Sequence, residues 1–200
     1  GFVRHRRFST EEDVRREAAK LKAVAAFHSV ATYEYPDVED MEGKRMLGVD
    51  LFFDLDVKGG NVRESLGRAL EYGAALVDIL VEELGISKSA IKAAYSGNRG
   101  VHIYTGDGRT RALTDKDARR LLAQYVTTSV LRAPRLPPTE PVSDPCSLAP
   151  YGICRRILML EVGLPAGVPP EYLDVQVIVD VHRLIRIPGS PNPKTGYACT

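Results

Sequence analysis

DLFFDLDVKGGN, residues 50–61, is the run from which the rest of the chain can be read. Side chains alternate across a β-strand, so within Arg45 to Val57 the residues Leu51, Phe53 and Leu55 face one way. Asp50, Phe52, Asp54 and Asp56 face the other. The apolar side demands a partner layer. The other side carries two carboxylates two residues apart, with Cβ atoms roughly 6–7 Å apart. Gly59-Gly60 breaks the strand, Asn61 can cap a helix, and the spacing predicts that helix from Val62 to Leu84, stopping at Gly85.

Working outward, Ala90–Tyr95 and Val101–Thr105 read as two short strands joined by the turn Ser96-Gly97-Asn98-Arg99-Gly100, where the glycines permit positive φ. Upstream, Ser9 and Glu12 form a capping box, predicting a helix from about Thr10 to Ala26. HSVATYEY, residues 28–35, reads as a strand. Downstream, Thr114 or Asp115 opens a helix ending near Arg132, and residues 133–155 form an irregular proline-rich insertion. Gln176–Val181 is β-branched and reads as a strand, and Arg183–Ile187 alternates basic and apolar residues before Pro188-Gly189. Strands and helices in this order, with a hairpin joining two strands, imply an α+β domain. It has an RRM-like, predominantly antiparallel sheet flanked by helices.

The 200 residues suffice for one domain spanning 1–200, with 44% hydrophobic and 26% charged residues. No apolar run approaches the roughly 20 residues of a membrane span, which excludes an integral helical membrane protein. With 27 Lys and Arg against 26 Asp and Glu, the net charge of +1 puts any nucleic-acid contact in local patches. Cys146, Cys154 and Cys199 are too few for a disulfide framework, and an intracellular, cytoplasmic or nucleoid-associated location is expected. The C-x₇-C spacing of the first two suits zinc poorly, leaving thiols or a disulfide. The abrupt start at Gly1 and stop at Thr200 read as cuts from a longer polypeptide.

Three elements could carry chemistry. Asp54 and Asp56 repel one another unless a cation lies between them, and their hard oxygen donors suit Mg²⁺ or Mn²⁺ over zinc. Other D-x-D pairs are merely solvated strand ends. The turn from Ser96 to Gly100, together with His102 just beyond it, offers backbone N–H groups, a hydroxyl, a guanidinium and an imidazole, a set that suits a polyphosphate. An ordinary hairpin with a polar tip fits the same residues. Asp180 closes an apolar run, where an unpaired carboxylate is costly. Arg183, Arg186 and Lys194 are its ion-pair partners or, alternatively, phosphate ligands; Asp50 lies farther back on the acidic face as a structural residue.

In this order the stretches DLFFDLD, YSGNRGVHIY and VDVHRLIRIPGS with the adjoining KTG resemble the archaeo-eukaryotic primase superfamily, in particular the primase small catalytic subunit and the primase-polymerases. FHSVATYEYP is similar to the segment before the family's first motif. The resemblance implies a primase-polymerase catalytic core: a template-directed nucleotidyltransferase that makes primers or extends DNA by two-metal-ion catalysis. Asp54, Asp56 and Asp180 would hold two divalent ions, Mg²⁺ or Mn²⁺, with zinc not expected. Ser96, Arg99, His102, Arg186 and Lys194 would bind the nucleoside triphosphate, ribo- or deoxyribo-. A single-stranded DNA template is implied as partner, with a large primase subunit or a fused helicase domain beside it. Two departures stand out: Asn192 occupies the place of the family's histidine in S-L-H-G-K-T-G, and no cysteines come directly after the D-x-D strand. Other readings are a gap-filling repair polymerase of the same fold and a non-catalytic single-strand-binding module, which needs paired aromatics on the sheet for base stacking, where the acidic face has only Phe52.

Overall fold

A computed structural model of the chain describes residues 2–128 and 172–200. The expected insertion at 133–155, the end of the helix predicted to reach Arg132, and Cys146 and Cys154 lie outside the described residues.

The decisive strand forms as the alternation requires. Strands β1 (Phe27–Ser29), β2 (Ala31–Tyr33), β3 (Met46–Val49) and β4 (Leu51–Asp56) precede helix α2 (Val62–Asp78). Then come β5 (Ile91–Tyr95), β6 (Gly100–Thr105), the short helix α3 (Gly108–Arg111) and α4 (Lys116–Thr128). A one-turn helix α5 (Val175–Val179) and strand β7 (Leu184–Arg186) complete the described fold. Sheet order is β4-β6-β5, with β2 paired to β3 and β1 to β7. All these strand pairings are antiparallel, as expected.

Both faces of β4 are covered, by different partners. Leu51, Phe53 and Leu55 sink into a core with Ala69, Leu76, Leu80, Val126 and Ile178. Phe52 joins a second cluster with Val30, Val49, Val177 and Ile185. Each such side chain, fully buried, is worth roughly 1.5–3 kcal/mol, enough to lock the register in which Asp54 lies opposite His102 and Asp56 opposite Gly100. Slipping by one residue would put the acids into the first core and turn Phe53 out to the face the acids now occupy.

Helix α2 starts where predicted, with Asn61 Oδ1 accepting from Glu64 N at 2.9 Å. It widens into a π-turn over Ile79–Glu83 before ending at Leu84. Helix α1 (Glu11–Lys20) is shorter than expected. Its cap is Thr10, whose hydroxyl accepts from Asp13 N, rather than Ser9. The strand expected over residues 28–35 is two strands, because Val30 is shared: its N–H donates to Arg183 O while its carbonyl accepts from Asp50 N.

One element differs in kind. The β-branched run at 176–181 reads as a strand, yet Val175–Val179 turn once as a helix, with Asp174 Oδ1 accepting from Gln176 N. β-Branched residues favour strands mainly through packing. Here a helical turn buries Val177, Ile178 and Val179 in succession, Ile178 in the first cluster and Val177 in the second, where a strand would alternate their faces. The ladder on this side of β4 is instead completed by residues just upstream. Asp56 N donates to Tyr172 O at 2.9 Å, Asp174 N donates to Asp54 O at 3.1 Å, and Leu55 bridges Leu173.

The turn glycines have different reasons to be glycine. Gly97 has φ +83°, the left-handed region. Gly100 is needed for close approach, since a Cβ there would lie 2.3 Å from Leu55 O in the neighbouring strand. Gly100→Ala is expected to destabilise the protein by roughly 1–3 kcal/mol through overpacking. Gly67→Ala, on the exposed side of α2 with nothing near the added methyl, should stabilise by about 0.5–1 kcal/mol. Urea unfolding of both variants checks the pair.

Candidate active site

β4 delivers Asp54 and Asp56 to one face of the sheet, and β6 delivers the groups opposite them. His102 Nε2 lies 3.7 Å from Asp54 Oδ1. Arg99, at the end of the glycine turn, grips Asp56 with a fork: Nε donates to Oδ1 at 2.8 Å and Nη2 to Oδ2 at 3.4 Å. That pairing holds the Arg99 guanidinium pKa above its ordinary value.

Asp54 is the strained acid. Burial, then the charges of Asp56 and Asp174, push its pKa up to about 6, while Arg183 and Arg186 pull it down. The acids acting on Asp54 are therefore Asp56 and Asp174. Asp180 is the third member that the sequence leads one to expect. Its Oδ1 accepts instead from His182 N at 3.0 Å, and its charge acts on Tyr33 and on Arg119. The reason is the helical turn at Val175–Val179. A strand through residue 180 would have carried Asp180 along the sheet, whereas the turn leaves Asp174, hydrogen-bonded through its own N–H to Asp54 O, as the residue entering the acidic face. The missed signal was an Asp directly before an apolar run, the pattern of a helix N-cap.

His102 is held neutral. Burial and then the nearby Arg186 charge bring its pKa down to about 4. Its Nδ1 is 3.3 Å from the Tyr104 hydroxyl and 3.7 Å from the Cys199 thiol, which is buried and free. A hydroxyl proton from Tyr104 on Nδ1 leaves Nε2 as the N–H, on the side of the acids. Phe52 lies beneath, its ring centroid 5.1 Å from His102 and 5.0 Å from Tyr104. At 3% exposure Phe52 is closed to a stacking base, which weighs against the non-catalytic binding module.

The turn is braced from behind. Ser96 Oγ accepts from Gly100 N at 3.2 Å, and the Ser96 carbonyl accepts from Arg186 Nη1 at 2.9 Å and from Asn192 Nδ2 at 3.4 Å. Thr195 Oγ1 donates to Gly97 O. Asn192, found where the resembling family has histidine, is buried, and its Oδ1 also accepts from Lys194 N. It is a clamp between two turns. Lys194 itself is exposed. Arg186 Nε is buried with no hydrogen-bond partner among the described residues, an orphaned donor beside the acidic face.

Among the described residues no three acidic, histidine or cysteine side chains stand close enough together to hold an ion as they are. The donors nonetheless fit a hard divalent cation. They are carboxylate oxygens, their mutual repulsion already raises one pKa, and a cation would relieve it. Also among the described residues, no helix is long and apolar enough to cross a membrane.

Residues 53–200 match the family model described as DNA primase small subunit. The chain is 36% identical over 218 residues to the DNA primase small subunit of Pyrobaculum calidifontis, covering 98% of this chain and 65% of the relative. The corresponding subunit of Hyperthermus butylicus is 31% identical over 256 residues, with 98% and 67% covered. That of Sulfolobus acidocaldarius is 29% identical over 223 residues, with 98% and 63% covered. The chain thus spans about two thirds of the length of these curated relatives. Among solved structures, the polymerase domain of Mycobacterium tuberculosis ligase D in complex with DNA aligns at TM-score 0.47 and 17% identity, over 92% of this chain and 54% of that one.

Because the folded Asp54 carboxyl binds its proton more tightly than an unfolded one, its ionisation costs stability as pH rises from about 4 to 6. In buffer with chelator, Asp54→Asn should be more stable than the parent above pH 6, on the order of 1–2 kcal/mol after allowance for partial exposure. The gap should close as pH falls to 4. Urea titrations across that range measure it, and a pH-independent gap would contradict the shifted pKa.

Proposed function

Since the chain belongs to the DNA primase small-subunit family, we propose that it is a template-directed nucleotidyltransferase, joining a nucleoside triphosphate to a 3′-hydroxyl or to a first nucleotide on single-stranded DNA. The observation that carries this reading is the meeting of an acidic face with a ring of hydrogen-bond donors, most of them cationic. Asp54, Asp56 and Asp174 adjoin Arg99, Arg183, Arg186 and His102 across one strand pair and its flanking segment.

The residues divide the work by charge. Asp54, Asp56 and Asp174 would hold Mg²⁺ or Mn²⁺. Bound there, divalent cations supply Lewis-acid stabilisation of the attacking and leaving oxygens. Arg186 presents its orphaned Nε to an anionic oxygen. Arg99, which now neutralises Asp56, is released to a phosphate when that carboxylate takes another cationic partner. His102, neutral at physiological pH, donates a hydrogen bond and contributes no positive charge. The Ser96 hydroxyl and the exposed Lys194 extend the phosphate-facing surface along the two braced turns. A large subunit or further domain would complete the initiation site.

Asp54→Ala and Asp174→Asn are each expected to lower labelled-nucleotide incorporation by at least about 10³-fold while leaving the fold intact. Asp180→Asn should keep incorporation at saturating metal. Activity surviving in Asp174→Asn and lost in Asp180→Asn would reverse the assignment of the third acid. Arg99→Ala should chiefly raise the nucleotide KM, by roughly 10-fold, the worth of one charge-assisted fork. Comparing products on unprimed and gapped templates separates primer synthesis from gap filling.

A further inference from the structure

Arg119 is 0% exposed, which is unusual for a residue carrying a full charge. It lies in the first half of α4, and its fork makes no ion pair with an acidic side chain among the described residues. Its three nitrogens go to backbone carbonyls of three separate segments. Nε donates to Ile178 O at 2.6 Å, Nη1 to Leu113 O at 3.0 Å, and Nη2 to Asp50 O at 3.1 Å. Asp50 directly precedes the strand that bears Asp54 and Asp56, and Ile178 lies in the helical turn that Asp174 caps. Burial pulls the guanidinium pKa down to about 10, still cationic at neutral pH, and the charges of Asp180 and then Asp50 support it.

Resting on the active-site reading above, we infer that Arg119 is a positioning residue: a buried strut that spaces the Asp174 segment from the Asp54–Asp56 strand. A planar fork can hold three carbonyls in one rigid geometry, whereas an ammonium on a flexible stem cannot. The strut lies at the base of both acid-bearing segments, four residues from Asp54 along β4 and four from Asp174 along the turn. A lost bond to either carbonyl shifts one carboxylate relative to the others, and ligand sets tolerate little displacement.

The test is a Mn²⁺ titration monitored by electron paramagnetic resonance without nucleotide, alongside steady-state incorporation, on the parent, Arg119→Lys and the core control Val126→Ala. Arg119→Lys is expected to raise the Mn²⁺ needed for half-saturation about 10-fold and to lower kcat, with the nucleotide KM within about 2-fold of the parent. Val126→Ala should lower the unfolding midpoint comparably and leave the Mn²⁺ titration unchanged. An unchanged titration in Arg119→Lys, or an equal shift in Val126→Ala, overturns the strut. If Arg119→Lys does not fold, Arg119→Gln decides: a several-fold higher half-saturation at unchanged KM supports the strut, and no change refutes it. Parent protein that binds no Mn²⁺, or binds it equally well after Asp54→Asn, refutes the active-site reading itself.

Discussion

Everything at the acidic face depends on how the outer edge of β4 is satisfied. A strand between β6 and open solvent would leave its carbonyl and amide groups unpaired. Here Tyr172 O and Asp174 N take up the Asp56 amide and the Asp54 carbonyl. Those two bonds join segments far apart in the chain, and they bring a third carboxylate to the pair already on β4. The same edge then turns helical, because Val177, Ile178 and Val179 are all buried at once, the first two in the apolar clusters.

The charge arrangement is a consequence of that placement. Asp54 is buried among like charges and its carboxyl holds a proton far more tightly than usual, whereas Asp56 is answered by the Arg99 fork. Around them Arg183 and Arg186 temper the field without pairing directly with Asp54. Such a site is electrostatically unfinished: it has acids short of a cation and, in Arg186 Nε, a donor short of an acceptor. On the proposed function, a triphosphate accompanied by divalent cations would supply both signs together. That complementarity links the fold to the chemistry of the family.

Rigidity comes from the two turns behind the face. The Ser96 carbonyl is held by both Arg186 and Asn192, Gly97 is roofed by Tyr197 O, and Thr195 reaches the Gly97 carbonyl. Asn192 therefore uses its amide to join the turns, at a place where the resembling family carries a histidine. Buried Arg119 does comparable work under the acids, with Nε, Nη1 and Nη2 each donating to a backbone carbonyl.

What the residue string determined alone was whatever depends on local period and turn chemistry. It set the alternation of β4 and its acidic pair, the Asn61 cap of α2, the hairpin around Ser96–Gly100, and an antiparallel α+β class. Asp54, Asp56, Arg99, His102 and Arg186 were legible because each lies on a strand or turn whose side-chain directions are set by neighbours one or two residues away. Tertiary structure decided which acid from the later part of the chain adjoins Asp54. Val175–Val179 has strand propensity, and only the simultaneous burial of Val177, Ile178 and Val179 makes it helical, which leaves Asp174 acting on Asp54. It also decided that Arg119, one of several charged residues in an amphipathic helix, is fully buried, because the carbonyls it binds come together only when three distant segments fold over it.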